Sequence, residues 1–268
     1  MNITFIGGGN MAAAIVAGLA REGGHRILVV EPDAAKGAQL AADYGVTALE
    51  SAPAAFGRDE VVVLAVKPQV LREVCTHLAG KLDGALVVSI AAGIRADALS
   101  RWLSGHARIV RVMPNTPAMV GKGMSGLFAA PGVDEADRAA AETVMRAVGE
   151  TLWLDDETGI DDITCISGSG PAYVFYFMES MMEAATDAGF DEAEARRLVL
   201  ATFDGAVELA RNSLLPVATL RQNVMSKGGT TERAIARFDA EGVKAAIKAG
   251  AEDCRLRSIE MGNELGQD

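Results

Sequence analysis

A glycine-rich segment near the amino terminus has the residue types and spacing that bind a nucleotide pyrophosphate. Residues 6–12 read Ile-Gly-Gly-Gly-Asn-Met-Ala, which fits G-x-G-x-x-A between an apolar run and a helical stretch. Gly7 permits a tight turn, Gly9 lets the backbone approach a pyrophosphate, and Ala12 keeps the next helix close to the sheet. Free N–H groups at that helix start favour an anion. A purely structural glycine turn is the alternative, but the strand before and the helix after favour dinucleotide binding.

A carboxylate follows the second apolar run, where the ribose of such a cofactor would lie. Glu31 can accept hydrogen bonds from a ribose 2′-OH, and it repels a 2′-phosphate. Lys36 is the one basic residue between Glu31 and Leu40, and no arginine occurs there. The pattern therefore favours NADH over NADPH, and a Glu31 turned toward solvent is the alternative.

The second half of the chain is poor in the residues that usually move protons. The three histidines, His25, His77 and His106, lie in the first half, and no lysine occurs between Lys122 and Lys227. Reduction of a ketone generally needs a positioned acid or base for the oxygen's proton. An imine nitrogen is much more basic than a ketone oxygen, so this shortage favours an imine substrate.

Two polar segments in the second half are candidates for the rest of the site. Residues 223–231 read Asn-Val-Met-Ser-Lys-Gly-Gly-Thr-Thr, and their glycines could present N–H groups to a carboxylate at a helix start. A simple loop with a threonine N-cap is the alternative. Residues 167–171 read Ser-Gly-Ser-Gly-Pro, and tight packing before a helix is the alternative to a functional role there.

The elements that must position these residues change in character along the chain. Alternating strands and helices in the first half predict a parallel sheet with helices on both faces. The predicted strands are Ile3–Ile6, Arg26–Val30, Val61–Val66, Ala85–Ile90, Arg108–Met113, Met124–Ala129 and Thr151–Leu154. The predicted helices are Asn10–Glu22, Asp33–Tyr44, Asp134–Val148, Pro171–Asp187, Glu192–Asn212 and Val243–Asn263. The strands stop at about Asp155, which predicts an α/β domain over residues 1–158 and an all-α domain over residues 159–268. Within the latter, the apolar stretch Ala172–Met178 predicts burial in a core or a subunit interface.

Composition narrows the partners and the compartment. Lys and Arg number 25 against 36 Asp and Glu, a net charge of −11, which argues against binding a nucleic-acid backbone. The three cysteines, Cys75, Cys165 and Cys254, are far apart and are interpreted as small apolar residues in a reducing compartment. Met1 runs directly into a predicted strand, and no apolar run is long enough to span a membrane. We therefore expect a cytoplasmic protein without a metal site.

Several ordered motifs together resemble one family, pyrroline-5-carboxylate reductase, over essentially the full chain. The matching segments are residues 5–12 (Phe-Ile-Gly-Gly-Gly-Asn-Met-Ala), 65–69 (Ala-Val-Lys-Pro-Gln), 89–93 (Ser-Ile-Ala-Ala-Gly), 111–117 (Arg-Val-Met-Pro-Asn-Thr-Pro), 167–173 (Ser-Gly-Ser-Gly-Pro-Ala-Tyr) and 226–231 (Ser-Lys-Gly-Gly-Thr-Thr). The resemblance implies a Rossmann dinucleotide-binding domain, then an all-α dimerisation and substrate domain. It also implies NADPH- or NADH-dependent reduction of 1-pyrroline-5-carboxylate to L-proline, the last step of proline biosynthesis. The assembly implied is a homodimer, which in that family often builds a decamer of five dimers.

The resemblance also carries site residues onto this chain. The cofactor-binding positions it implies are Ile6, Gly7, Gly8, Gly9, Asn10, Met11, Ala65, Val66, Lys67, Pro68, Ala91, Ala92 and Asn223, to which the argument from the second strand adds Glu31. The substrate-binding positions it implies are Glu157, Gly228, Gly229, Thr230 and Thr231. Thr231 resembles the hydroxyl placed at the ring nitrogen and is the implied catalytic residue.

One departure and two rival functions remain beside this resemblance. Family members commonly carry Ser, Thr or Arg where this chain has Glu31, which counts against their usual NADPH preference. A hydroxyacid dehydrogenase shares the two-domain outline but uses a lysine on a central helix, and this chain has none between Lys122 and Lys227. A non-catalytic nucleotide sensor would leave the Gly-Gly-Thr-Thr segment unexplained.

Overall fold

The computed structural model describes residues 1–267, and these fall into two compact units. The first unit consists of Met1–Pro171 together with residues 253–267, and the second consists of Ala172–Glu252. The strands are β1 (Asn2–Ile6), β2 (Arg26–Val30), β3 (Thr47–Leu49), β4 (Glu60–Leu64), β5 (Leu86–Ser89), β6 (Ile109–Met113), β7 (Gly123–Ala129) and β8 (Gly149–Trp153). The helices are α1 (Asn10–Glu22), α2 (Ala34–Tyr44), α3 (Pro68–Leu78), α4 (Ala96–Trp102), α5 (Glu135–Arg146), α6 (Gly159–Ile163), α7 (Gly170–Asp187), α8 (Glu192–Arg211), α9 (Val217–Asn223), α10 (Thr230–Ala240) and α11 (Val243–Leu265).

The first unit is built on one eight-stranded sheet in the order β3-β2-β1-β4-β5-β6-β7-β8. Its first six strands are parallel and follow the 3-2-1-4-5-6 order of dinucleotide-binding folds, which confirms the predicted Rossmann class. One pair departs from the predicted parallel arrangement, because β7 runs antiparallel to β6. The two strands are joined by a segment that holds only the 3₁₀ turn Thr116–Val120. A parallel return would need a longer crossover, so this connection requires the antiparallel pairing.

The two faces of the sheet carry separate apolar cores. On β4, Val61 and Val63 lie in one core with residues of α1 and α5, whereas Val62 and Leu64 lie in the other with residues of α3 and α4. This alternation follows from the two-residue period of a strand, and it confirms the predicted helices on both faces. Each such side chain contributes about 1.5–3 kcal/mol when fully buried. The cores hold the carboxyl ends of β1, β4 and β5, which carry the site, in a fixed arrangement.

The second unit is wholly helical and leaves much apolar surface exposed. Among the described residues of α7 none is buried, and Phe175 and Tyr176 are 63% and 68% exposed. The sequence left open whether this apolar helix lies in a core or in a subunit interface. In the single chain it lies in no core, and contiguous exposed apolar surface of this kind marks an interaction site. No helix within residues 1–267 combines the length and the apolar character that crossing a membrane requires.

The change from strands to helices lies where the sequence placed it. The last strand ends at Trp153 and α6 begins at Gly159. The first compact unit nevertheless extends to Pro171. It does so because Ile160 and Ile163 of α6 are buried, and a Cβ on Gly126 of β7 would lie 2.7 Å from Ile163.

Candidate active site

The turn after β1 requires glycine at its first position. Gly7 has a φ of +105° and donates its N–H to the Val30 carbonyl at 2.8 Å. A Cβ at Gly7 would lie 2.8 Å from the Ala65 oxygen and 2.9 Å from Val66 Cγ1, closer than real Cβ contacts allow. The turn therefore packs directly against the segment after β4. Two groups of predicted cofactor residues, far apart in sequence, are brought into contact here.

The start of α1 is open and has no side-chain cap. The helix begins at Asn10, its N-cap is Gly9, and no side chain caps its first N–H groups. A Cβ on Gly9 would meet no atom within 4 Å, so the space in front of the helix is free. Ala12, one turn later, is buried in the core and holds the helix against the sheet, as predicted. Uncapped N–H groups, the helix dipole and open space fit the pyrophosphate of a dinucleotide.

The neighbouring strand ends complete one edge of the sheet. The strand order reverses between β1 and β4, and Ala65 donates its N–H to the Ile6 carbonyl there at 2.9 Å. Lys67 is the N-cap of α3 and Pro68 is in its first turn. The predicted residues Ala91 and Ala92 follow β5, the next strand along this edge. Ligands of doubly wound sheets bind in the crevice at such a reversal, so the structure gathers the predicted nicotinamide-side contacts at a suitable edge.

Glu31 points toward the glycine turn, not toward solvent. Its Oε2 accepts the Gly8 N–H at 3.0 Å, and its Oε1 accepts the Asp33 N–H at 3.0 Å. A Cβ on Gly8 would lie 3.1 Å from Glu31 Oε2 and 2.8 Å from Leu40 Cδ1, so both side chains pack closely against the turn. The alternative of a solvent-directed Glu31 is wrong, because backbone N–H groups on both sides fix the carboxylate.

Glu157, the predicted substrate-side carboxylate, accepts hydrogen bonds from two residues of the first unit. Its Oε1 accepts the Ala96 N–H at 2.6 Å and a bond from Arg111 Nη1 at 2.7 Å. The Arg111 side chain is 7% exposed and that of Glu157 is 25% exposed. The Glu157 carboxylate therefore links Ala96, the first residue of α4, to Arg111 of β6 through hydrogen bonds. Sequence reasoning missed Arg111 as the partner of Glu157; its signal was a charged residue inside the apolar run of β6.

The Gly-Gly-Thr-Thr segment forms the turn into α10 in the second unit. Gly228 has a φ of +71° and donates its N–H to Glu232 Oε2, while Gly229 donates its N–H to the Ser226 carbonyl at 2.9 Å. Gly229 is the N-cap of α10, so the threonine-cap alternative is wrong. Thr230 and Thr231 occupy the first turn of that helix. Asn223, also predicted to contact the cofactor, ends α9 in the same unit.

Comparison with known proteins identifies the family. A model of the pyrroline-5-carboxylate reductase dimerisation domain matches residues 157–261, and a model described as NADP oxidoreductase, coenzyme F420-dependent, matches residues 2–93. Pyrroline-5-carboxylate reductase of Pseudomonas aeruginosa is 42% identical over 99% of this chain and 98% of its own length. That of Haemophilus influenzae is 43% identical over 97% of both chains. The chain belongs to the pyrroline-5-carboxylate reductase family.

Solved members of the pyrroline-5-carboxylate reductase family share the fold. The structure from Coxiella burnetii superposes with a TM-score of 0.90 at 39% identity, covering 97% of this chain and 98% of that one. The Plasmodium falciparum structure, described with NADP bound, gives 0.84 at 27% identity and covers 98% of both chains. The dimerisation model over residues 157–261 and the exposed apolar helix α7 agree that this family member forms a homo-oligomer.

Two further family motifs meet each other in the first unit. Asn115 is buried, donates from Nδ2 to the Ser167 carbonyl at 2.9 Å, and accepts the Met124 N–H at 2.9 Å. A Cβ on Gly168 would lie 2.7 Å from Met113 Cε. The small residues of 167–171 thus allow a close approach between β6 and the π-helical turn Thr164–Gly168. The tight-packing alternative accounts for these contacts.

The cysteines fit their interpretation as apolar residues. Cys75 and Cys165 are buried, and none of the three forms a disulfide within the described residues. Burial raises the pKa of the Cys75 thiol to about 12. Burial, with a smaller contribution from Cys254, also raises the pKa of Cys165. Both buried thiols therefore stay protonated and unreactive near neutral pH.

Proposed function

We propose that this chain reduces 1-pyrroline-5-carboxylate to L-proline with NADH or NADPH, the last step of proline biosynthesis. The observation that carries the proposal is similarity over the whole chain to curated reductases of that name, at 41–43% identity over 97–99% of its length. The likeness therefore includes the nucleotide-binding edge of the first unit and the Gly-Gly-Thr-Thr turn of the second. A shared nucleotide fold alone would support a cofactor but no substrate.

The cofactor side of the proposal rests on the carboxyl edge of the sheet. Residues 6–11 would hold the pyrophosphate at the uncapped start of α1, and Glu31 would hold the adenosine ribose. Residues 65–68, Ala91, Ala92 and Asn223 would contact the nicotinamide half. When bound, the reduced nicotinamide supplies the hydride that the imine carbon accepts. The protein has to orient that ring and keep water away from it.

The substrate side rests on the turn into α10. We assign the substrate carboxylate to the Gly228-Gly229-Thr230 backbone and the ring nitrogen to the Thr231 hydroxyl. The N–H groups of Gly228 and Gly229 already donate to acceptors within the turn. The first N–H groups of α10 and the dipole of that helix therefore supply most of the attraction for the substrate carboxylate. Thr231 donates a hydrogen bond that orients the nitrogen and assists its protonation. Correct positioning contributes most of the rate gain, and the hydroxyl adds about 10²-fold.

Glu157 has an indirect part in this proposal. Its Oε1 already accepts from Ala96 and Arg111, so we assign it to positioning the segment that follows Ala91 and Ala92. This changes the direct substrate contact that the family resemblance implied. The Arg111 charge would hold the Glu157 carboxylate in place during turnover.

Domain, assembly and compartment complete the proposal. We place the boundary between the Rossmann domain and the dimerisation and substrate domain at residues 158 and 159, which the end of β8 at Trp153 and the dimerisation match from residue 157 support. The functional unit is a homodimer in which one subunit's nucleotide domain meets the partner's helical domain. Five dimers assemble into a decamer. The proposed location is the cytoplasm, where proline biosynthesis draws on reduced nicotinamide nucleotides.

The proposal is tested by measuring turnover with each cofactor. The purified chain is mixed with 1-pyrroline-5-carboxylate and either NADH or NADPH, and nucleotide oxidation is followed by absorbance while proline is quantified. Proline formed in equal amount to the nucleotide oxidised supports the proposal. Nucleotide binding without any proline would instead favour a sensor, and turnover only with a hydroxyacid and the oxidised nucleotide would favour a hydroxyacid dehydrogenase.

A further inference from the structure

We infer that Glu31 makes this chain selective for NADH over NADPH, by holding the ribose 2′-OH and repelling a 2′-phosphate. The kinetic consequence rests on the proposed function, whereas the binding consequence needs only the nucleotide fold. The carboxyl end of β2 beside the glycine turn is where doubly wound folds place the adenosine ribose. Glu31 lies directly after β2 and is bonded to that turn through Gly8.

The Glu31 carboxylate is held in the orientation that ribose binding needs. Each of its oxygens accepts one backbone N–H, from Gly8 and from Asp33, at 3.0 Å. A carboxylate oxygen has two lone pairs, so each oxygen keeps capacity for one more donor. The 2′-OH and 3′-OH of a ribose supply two donors at adjacent positions. A fixed carboxylate receives them with little loss of side-chain freedom.

The charged side chains of the segment that follows Glu31 disfavour a 2′-phosphate. The start of α2, which would attract a phosphate, is capped by Asp33, whose Oδ1 accepts the N–H groups of Ala35 and Lys36. Lys36, the first basic residue after Glu31, has its Nζ 3.7 Å from Asp33 Oδ2. Two carboxylates and one lysine leave a net negative charge where the extra phosphate of NADPH would lie. Like charges placed this close disfavour the complex.

Close packing keeps the Glu31 carboxylate from moving aside. A Cβ on Gly8 would lie 3.1 Å from Glu31 Oε2 and 3.3 Å from its Cβ, so the glutamate rests directly on the turn. The Cβ built on Gly8 would also lie 2.8 Å from Leu40 Cδ1, so this side chain too packs close to the turn. Rotation of Glu31 away from an incoming phosphate would break both backbone hydrogen bonds.

The test measures equilibrium binding of NADH and NADPH by nucleotide fluorescence, with no imine present. We expect the wild-type chain to bind NADH about 10- to 100-fold more tightly than NADPH, the range of one hydrogen bond to a charged group. Glu31→Gln keeps the size but removes the charge and one of the two backbone acceptors, and it should bring the two dissociation constants within about threefold. Glu31→Ser serves as a second variant if the first folds poorly. The matched control is Asp43→Asn, which removes one charge from the far end of α2 and should keep the wild-type ratio.

Salt provides a second readout that a merely structural role of Glu31 would not produce. Raising the ionic strength from 0.1 to 1 M shortens the Debye length from about 10 to 3 Å. The ratio of the NADPH to the NADH dissociation constant should therefore fall for the wild-type chain and stay unchanged for Glu31→Gln. Wild-type binding of NADPH as tight as that of NADH overturns the inference. So does an unchanged ratio in Glu31→Gln, or an equal change in Asp43→Asn. An NADH preference in binding without proline formation would refute the proposed function and leave this inference standing.

Discussion

The pair formed by Glu157 and Arg111 gives the sharpest test of how the site is held together. Truncation by Glu157→Ala leaves the Arg111 guanidinium, 7% exposed, without its carboxylate, and it removes the acceptor for the Ala96 N–H. Loss of one partner from a buried pair costs about 3–5 kcal/mol. Because the Glu157 side chain is 25% exposed, water can reach the gap, and we expect the low end, about 3 kcal/mol.

A loss of that size is measurable by denaturation at fixed protein concentration. For a chain of this length, about 3 kcal/mol corresponds to a Tm lowered by roughly 6–12 °C. Urea unfolding followed by circular dichroism gives the free energy directly, and protein concentration must be held constant because oligomerisation adds to stability. Glu150→Ala, on the exposed face of β8, is the matched control and should change stability by no more than about 0.5 kcal/mol.

Kinetics then decide between positioning and direct substrate contact. If Glu157 acts through Arg111, the KM for the imine should stay within about twofold in Glu157→Gln, which keeps the acceptor oxygen for both donors. The double variant Arg111→Met with Glu157→Leu should recover much of the stability lost in Glu157→Ala, because no charge is then left unpaired. Wild-type stability in Glu157→Ala together with a large loss of kcat/KM would refute the reasoning and restore the direct contact.

Three further variants test separate parts of the structure. Gly7→Ala forces a Cβ against the Ala65 carbonyl at a φ of +105°, so it should cost about 2–4 kcal/mol of stability and abolish nucleotide binding; normal NADH fluorescence binding would contradict this. Thr231→Val should lower kcat about 10²-fold with the NADH dissociation constant unchanged, and unaltered turnover would remove its catalytic role. Burial by itself would raise the pKa of Asp137, but the hydrogen bond from Arg108 and the positive charge of that residue lower it by more, so the pKa lies below its usual value. The stability from Asp137 is therefore full above the ordinary aspartate pKa and is lost as pH falls through the lowered value, so the deficit of Asp137→Asn in urea should be constant above about pH 5 and shrink as the pH falls below about 4; a deficit independent of pH would argue against the ion pair.

Local signals in the sequence were sufficient for every strand except β3, for helices such as α1, α7 and α8, and for the family. The predicted bounds of α1 at Asn10–Glu22 and of β2 at Arg26–Val30 are confirmed, because apolar periodicity and the adjoining glycines are encoded within a few residues. The short edge strand β3, Thr47–Leu49, was missed since it is mostly exposed and has no apolar run. Ordered motifs named the family without reference to tertiary structure, and the comparisons confirm it.

For the glycine turn, the sequence predicted the local conformation but not the residues that contact it. Its spacing predicted a nucleotide turn, but only the fold placed Ala65 against Gly7 and Glu31 against Gly8.

What the sequence by itself determined is most of the strands, several of the helices, the Rossmann class of the first half, the family and the residue types at the site. What only the tertiary structure decided is which of those residues have partners: Glu157 with Arg111 of β6, and an apolar α7 left exposed. It also decided the antiparallel direction of β7. The physical reason is that helix and strand periodicity, like the glycine turns, depends on neighbours a few residues apart. A buried ion pair or a strand direction depends instead on segments far apart in sequence, whose meeting is fixed by the packing of the whole sheet.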